Sequence, residues 1–120
     1  MEQLKLFVLY GIFLLSISSF ATMGAFYTNE PVSEGDEFEI LAIVRNPGSK
    51  TLENVNLKLF IYDLGLMLNS HPFDIGDRDS GVGRIYWTVP SNIPTGTYFA
   101  KLTASNDRFR DWQHMYVTII

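Results

Sequence analysis

Three aspartates in one short stretch are the residues of this sequence best suited to holding a metal ion. Asp74, Asp77 and Asp79 lie in the segment "DIGDRDSG", which also contains two glycines. Calcium takes about 6 to 8 oxygen ligands, and a flexible acidic loop can supply them. The spacing does not match an EF-hand, and Asp and Gly are also the usual residues of a solvated turn. We therefore favour a turn, keep a calcium site as the alternative, and predict no bound metal or cofactor.

No set of side chains in the sequence predicts catalysis. The two histidines, His71 and His114, lie on different segments, and neither has an acidic or hydroxyl residue at a spacing that suggests a catalytic triad. The sequence has no cysteine, which excludes a thiolate nucleophile and a cysteine-ligated zinc. We therefore predict a protein that is not an enzyme and has no catalytic residues.

The charge of the chain argues against a nucleic-acid partner. Nine Lys and Arg stand against 13 Asp and Glu, the formal net charge is -4, and the sequence pI is near 5.0. The basic residues are scattered along the sequence instead of clustered, so they do not indicate a surface for a phosphate backbone. Nucleic acid is excluded as a predicted partner.

The N-terminal 21 residues have the order of a secretory signal peptide. Lys5 precedes an apolar run from Leu6 to Phe20, and small residues at Ser19 and Ala21 fit a signal peptidase site after Ala21. Ala25 is a second candidate site. The alternative is an uncleaved membrane anchor, because no charge occurs between Lys5 and Glu30. Either way, we expect residues 22–120 outside the cell, secreted or anchored at its surface by one N-terminal helix.

Residues 22–120 have the alternation of a sandwich of β-strands. Apolar side chains occupy every second position from Phe38 to Val44, from Val55 to Ile61 and from Met115 to Ile119. A strand is also predicted from Arg84, whereas the segment before it, "LMLNSHPFDIGDRDSGVG", is predicted to contain a short edge strand and a long loop. We predict an all-β domain: an immunoglobulin-like antiparallel β-sandwich of about seven strands, preceded by the hydrophobic N-terminal helix.

A proline and glycine corner precedes the next predicted strand. Pro94 and Gly96 come just before Tyr98, in the segment "IPTGTY". A tyrosine at this place resembles the tyrosine corner of Greek-key sandwiches, whose hydroxyl bonds to an upstream backbone group. We therefore expect the Tyr98 hydroxyl to fix the corner.

The order of these motifs resembles immunoglobulin-like modules of the CARDB and NEW3 type in prokaryotic cell-surface proteins. The resemblance covers residues 26–120 and rests on "VRNPGS", "LENVNLKLFIYD" and "WTVPSNIPTGTYFAKLTASND". It implies an adhesion, spacer or accessory module of an exported protein, and it brings no catalytic residue with it. This chain departs from those modules because it has only one short domain after its N-terminal block.

The immunoglobulin strand order would also place several aromatic residues on the outer side of one sheet. These residues are predicted to form a contact surface for a protein partner or for self-association, because Trp and Tyr anchor interfaces. An error of one residue in strand register would turn them inward. Two alternatives stay open: a subunit of a surface layer or filament that pairs through the last strand, and a module that binds glycans. The predicted surface residues are Phe60, Tyr62, Phe99, Trp112 and Tyr116, with His114 among them.

Overall fold

The computed structural model describes residues 20–120, and the predicted signal peptide or anchor helix lies outside this part apart from its last two residues. Within the described part, no helix has the length and apolar character needed to cross a membrane. The described chain forms eight strands and one short 3-10 helix at Tyr62–Leu64. The strands are β1 (Thr22–Thr28), β2 (Glu37–Arg45), β3 (Leu52–Ile61), β4 (Leu66–Asn69), β5 (Phe73–Ile75), β6 (Ser80–Thr88), β7 (Gly96–Ser105) and β8 (Arg110–Ile119).

The strands form two antiparallel sheets, as the alternating pattern predicted. One sheet has three strands in the order β1-β2-β6, and the other has the order β4-β3-β7-β8, with β5 also paired to β3. The all-β class is thereby confirmed, although the described part has eight strands and the prediction was about seven. The sheets bury their inner sides against one another in a single apolar cluster. Such a two-layer arrangement leaves one side of each sheet facing solvent.

The core consists of the residues that the alternation placed inward. In β2, Phe38, Ile40, Ala42 and Val44 are fully buried. Matching positions of β3, β6, β7 and β8 belong to the same cluster: Val55, Leu57, Leu59, Ile61, Ile85, Ala100, Leu102, Ala104, Met115, Val117 and Ile119. Met23, Val32, Ile75 and Val89 also belong to it. Burying one Val, Leu, Ile or Phe side chain stabilises the fold by about 1.5–3 kcal/mol. Without any disulfide, this packing is the main source of stability.

Strand β6 begins at Ser80, so the prediction of a loop up to Gly83 is wrong. The two glycines that suggested a loop lie inside the strand, where they allow the sheets to approach. A Cβ atom at Gly83 would lie 2.7 Å from Leu57 Cδ1 and 2.7 Å from Phe73 Cε1. A Cβ atom at Gly81 would lie 2.7 Å from Ile75 Cγ1. Glycine in a strand can mark such close contact as well as a turn.

Strand β1 was not predicted, because its side chains do not alternate regularly. Met23 is buried, Phe26 is half-buried, and the pairing with β2 shifts between them. A bulge of this kind inserts an extra residue, so the side chains after it no longer follow the alternation of those before it. Residues 22–28 nevertheless complete the three-stranded sheet.

The tyrosine corner is confirmed. The Tyr98 hydroxyl donates a hydrogen bond to the carbonyl oxygen of Pro94, four residues upstream. The bond joins the loop before β7 to the start of that strand. The corner therefore fixes where β7 enters the sheet, and with it the register of β7 against β3 and β8.

Candidate contact surface

One outer side of the sandwich carries a continuous group of aromatic rings, which we call the aromatic face. It lies on the solvent side of the β4-β3-β7-β8 sheet and on the 3-10 helix that follows β3. Phe99 is 38% exposed and Tyr116 is 59% exposed, while Phe60 is half-buried. All of the residues that the sequence placed outward belong to it: Phe60, Tyr62, Phe99, Trp112, His114 and Tyr116.

Strand register brings side chains of β7 and β8 directly opposite one another. Phe99 faces Tyr116, Lys101 faces His114, and Thr103 faces Trp112. The Thr118 amide and carbonyl point away from β7, since the N–H donates to Glu30 Oε2 at 2.7 Å and the carbonyl accepts from the Val32 amide at 3.1 Å. Every second residue before Thr118 therefore lies at a non-hydrogen-bonded position, where opposite side chains are closest. This alternation explains why the rings touch.

The rings contact one another across three segments of the chain. The Phe99 ring centroid lies 4.7 Å from that of His114 and 5.3 Å from that of Tyr116. Tyr62 stacks on Phe99 at 5.7 Å between centroids. Trp112 packs edge to face on His114 at 4.9 Å. Such aromatic pairs contribute about 0.5–1.5 kcal/mol each beyond the area they bury, so the cluster is a defined surface instead of a set of independent side chains.

Three cationic side chains lie together beside this cluster, although the basic residues are scattered in the sequence. Lys58, Lys101 and Arg110 come from β3, β7 and β8 and line one groove of about 390 Å³ together with Phe60, Tyr62 and Met67. Lys101 Nζ lies 4.7 Å from the centroid of the Trp112 ring, a cation–π contact. Among residues 20–120, no Asp or Glu lines the groove. In a chain of net charge -4, this face is locally basic.

The open edge of β8 is covered at both of its ends. Near its start, Asp111 Oδ2 accepts a hydrogen bond of 2.8 Å from the Met23 amide, and Asp111 Oδ1 accepts one of 3.0 Å from the Trp112 amide. Near its end, Val32 forms a parallel bridge with Ile119. The segment before β2 therefore covers both ends of an edge that could otherwise pair with another chain.

Comparisons with known proteins agree with the fold that these strands build. No protein-family model matches the sequence, and no curated protein matches it. Among solved structures, the CARDB domain of the Pyrococcus furiosus protein PF1109, in complex with di-metal ions, matches with a TM-score of 0.56 and 14% identity, over 83% of this chain and 85% of that chain. This chain has a CARDB-like, immunoglobulin-like fold.

Two further matches show how widely this CARDB-like architecture occurs. A Niemann-Pick type C2 protein from Japanese carpenter ant matches with a TM-score of 0.56 and 11% identity, over 83% of this chain and 92% of that chain. A Paenibacillus cycloisomaltooligosaccharide glucanotransferase complexed with cycloisomaltoheptaose matches with a TM-score of 0.62 and 21% identity, over 83% of this chain and 14% of that chain. The fold thus occurs both as most of a chain and as a small part of a large enzyme.

The acidic loop of this CARDB-like domain uses its carboxylates for local hydrogen bonds. Asp74 Oδ1 accepts from the Asn54 amide at 3.0 Å, and Asp79 Oδ1 accepts from the Ser80 amide at 2.8 Å. The buried Asn46 fixes the loop, since its Nδ2 donates to the Gly76 carbonyl at 3.0 Å. Within residues 20–120, no three side chains of Asp, Glu, His or Cys are grouped so that they could hold a metal ion. Asp74 lies in β5, whereas Asp77 and Asp79 lie in the turn between β5 and β6.

The two histidines have different surroundings. His114 belongs to the aromatic face, and its Nε2 lies 3.4 Å from the Tyr62 hydroxyl. His71 is exposed in the loop between β4 and β5. Sequence reasoning missed the three cations of the aromatic face. Lys58 and Phe60 alternate on β3, as do Lys101 and Phe99 on β7, so extending the outward alternation to charged residues would have found two of them.

Proposed function

We propose that residues 22–120 form an exported, non-catalytic module that acts at the cell surface through protein contacts made by the aromatic face. One observation carries this proposal: the rings of the aromatic face touch one another and remain exposed on a domain whose core is already filled. Exposed groups of Trp and Tyr bordered by Lys and Arg are typical of the centre of an interface. A face of rings and alkyl chains supports binding and not the activation of a nucleophile.

The proposed export rests on the N-terminal residues together with the position of β1. Cleavage after Ala21 would leave Thr22, the first residue of β1, at the new N-terminus. Cleavage after Ala25 would remove Met23, which is buried and donates its amide to Asp111. We therefore favour Ala21 over Ala25, with an uncleaved anchor as the alternative. The intact mass of the protein from the membrane and from the medium distinguishes a full-length chain from one that begins at Thr22.

Two other functions receive less support from the described residues. A filament formed by pairing at β8 would use an edge whose ends are already bonded to Met23, Glu30 and Val32. A glycan that stacks on Trp112 would compete with Lys101, which already lies over that ring. Protein contact requires neither change.

Photo-crosslinking in cells of the producing organism tests the proposed function. Benzoylphenylalanine in place of Phe99 puts a reactive group inside the aromatic face, whereas the same residue in place of Ser91 puts it in an exposed loop after β6. We expect discrete crosslinked protein products from position 99 and none from position 91. Equal labelling at both positions, or no product at position 99, would contradict a contact role for this face.

A further inference from the structure

The sandwich has a second apolar surface, on the outer side of the other sheet, which we call the tyrosine face. Tyr27, Val82 and Tyr86 are exposed there, one on β1 and two on β6. Half-buried Leu41 and Ile43 of β2 lie between them, because Tyr27 pairs with Leu41 and Val82 pairs with Ile43. Both outer faces of this one small domain therefore carry apolar side chains that could be covered by another protein.

The turn at one end of the tyrosine face is acidic and the groove on the aromatic face is basic, while exposed Arg45 lies at the other end of β2. The turn that leads into β2 places Glu34, Asp36 and Glu37 at one end of the tyrosine face, all exposed. A fourth carboxylate, Glu39, already pairs with Arg84 at 3.2 Å. On the aromatic face, the carboxylate-free groove contains three cations. An acidic turn beside one apolar face thus complements a basic groove on the other.

This charge distribution decides which contact between two copies is favourable. A symmetric contact between two aromatic faces would bring two sets of Lys58, Lys101 and Arg110 together, and like charges across an interface oppose association. A symmetric contact between two tyrosine faces would leave the basic groove of each copy uncovered. Placing the aromatic face of one copy on the tyrosine face of the next pairs opposite charges and covers both apolar surfaces.

We infer that this domain self-associates head to tail, with the tyrosine face of one copy on the aromatic face of another. The inference rests on the proposed function, because it names a second copy of this chain as the partner of the aromatic face. Each copy in such a contact keeps one unused face, so the contact is heterologous and adds further copies into open chains or a closed ring. The acidic turn at Glu34–Glu37 supplies the carboxylates for Lys58 and Lys101.

Sedimentation velocity on residues 20–120 tests the inference, since this segment contains both sheets and the whole described core. From about 10 μM to about 1 mM, we expect the average mass to rise past two copies. Raising the salt from about 0.05 M to about 0.5 M should weaken the association several-fold, because salt screens exposed charges. A wild-type domain that stays monomeric over this range overturns the inference.

Two charge-reversed variants separate the faces. Lys58→Glu with Lys101→Glu breaks only the aromatic face, and Glu34→Lys with Glu37→Lys breaks only the tyrosine face. We expect each variant alone to be monomeric. Mixed in equal amounts, they should regain association past two copies, because the two unchanged faces pair and the two reversed faces again carry opposite charges.

The control variant is Lys50→Glu with Arg108→Glu, which changes two charges at another groove and should associate like wild type. Circular dichroism checks that every variant is folded. Dimers of either variant alone would indicate a symmetric contact and overturn the head-to-tail arrangement, as would a mixture that stays monomeric. Discrete crosslinks from position 99 to a different protein, with a monomeric domain, would overturn the inference and leave the proposed function standing.

Discussion

The two sides of the β4-β3-β7-β8 sheet are made by the same strands but have different physical roles. On the inner side, Leu57, Leu59 and Leu102 are fully buried against the other sheet. On the outer side, Phe99 and Tyr116 contact other rings and stay open to solvent. The inner side chains have lost their contact with water, whereas the outer rings have lost only part of it. Stability should therefore depend on the inner side, and association on the outer side.

The largest effect on stability should come from Leu57→Ala. Leu57 is fully buried at the centre of β3. Its side chain packs over Gly83, since a Cβ atom at Gly83 would lie 2.7 Å from Leu57 Cδ1. Truncating a buried leucine costs about 2–5 kcal/mol, because apolar contact is lost and a cavity remains. Urea unfolding followed by fluorescence measures the loss. Met67→Ala, at an exposed site on the outer side of β4, is the control and should cost less than about 1 kcal/mol.

The next effect should come from Gly83→Ala, which adds a methyl group where the sheets are closest. The new Cβ would lie 2.7 Å from Leu57 Cδ1, so side chains must shift. Overpacking of this kind costs about 1–3 kcal/mol. Gly24→Ala is the matched control, since its Cβ would lie 3.7 Å from the nearest atom, the Ile43 carbonyl oxygen. Equal midpoints of urea unfolding for the two variants would show that β3 and β6 are not in close contact.

A smaller effect is expected for Tyr98→Phe, which removes the hydrogen bond to the Pro94 carbonyl. A neutral hydrogen bond contributes about 0.5–1.5 kcal/mol net, so thermal unfolding should shift by a few degrees. Tyr86→Phe removes an exposed hydroxyl from the tyrosine face and should leave stability unchanged. A Tyr98 variant as stable as wild type would mean that the corner is fixed by its backbone alone.

The smallest effect on stability should come from Tyr116→Thr, on the outer side of β8. Threonine keeps a high preference for strands, and Tyr116 is 59% exposed. The free energy of unfolding should change by less than about 1 kcal/mol. Self-association should nevertheless weaken, because the ring against Phe99 is lost. Unfolding of this variant at room temperature would show that the aromatic face belongs to the core.

The sequence was informative where alternation was regular. It predicted the inner residues of β2, β3 and β8, the Tyr98 corner and the outward side of the aromatic face. It failed at β1, where a bulge after Met23 interrupts the alternation, and at β6, where Gly81 and Gly83 serve packing and not a turn. Both failures come from contacts between distant segments, which a local pattern does not contain.

The basic groove shows the same limit for the candidate site. Lys58, Lys101 and Arg110 are far apart in sequence, and only the pairing of β3 with β7 and of β7 with β8 brings them together. The tyrosine face also depends on pairing, since Tyr27 and Tyr86 come from strands on either side of β2. Strand order, which the sequence did not determine by itself, creates both surfaces.

Hydroxyl-radical footprinting of Trp112 and Tyr116 tests the central claim most directly. The two side chains are exposed in the isolated domain, so dilute residues 20–120 should be oxidised readily at both. On the intact cell surface, a partner on the aromatic face should slow the oxidation of both side chains several-fold. Equal oxidation rates on cells and in the dilute domain would contradict the account, because they would show that nothing covers the aromatic face where the protein acts.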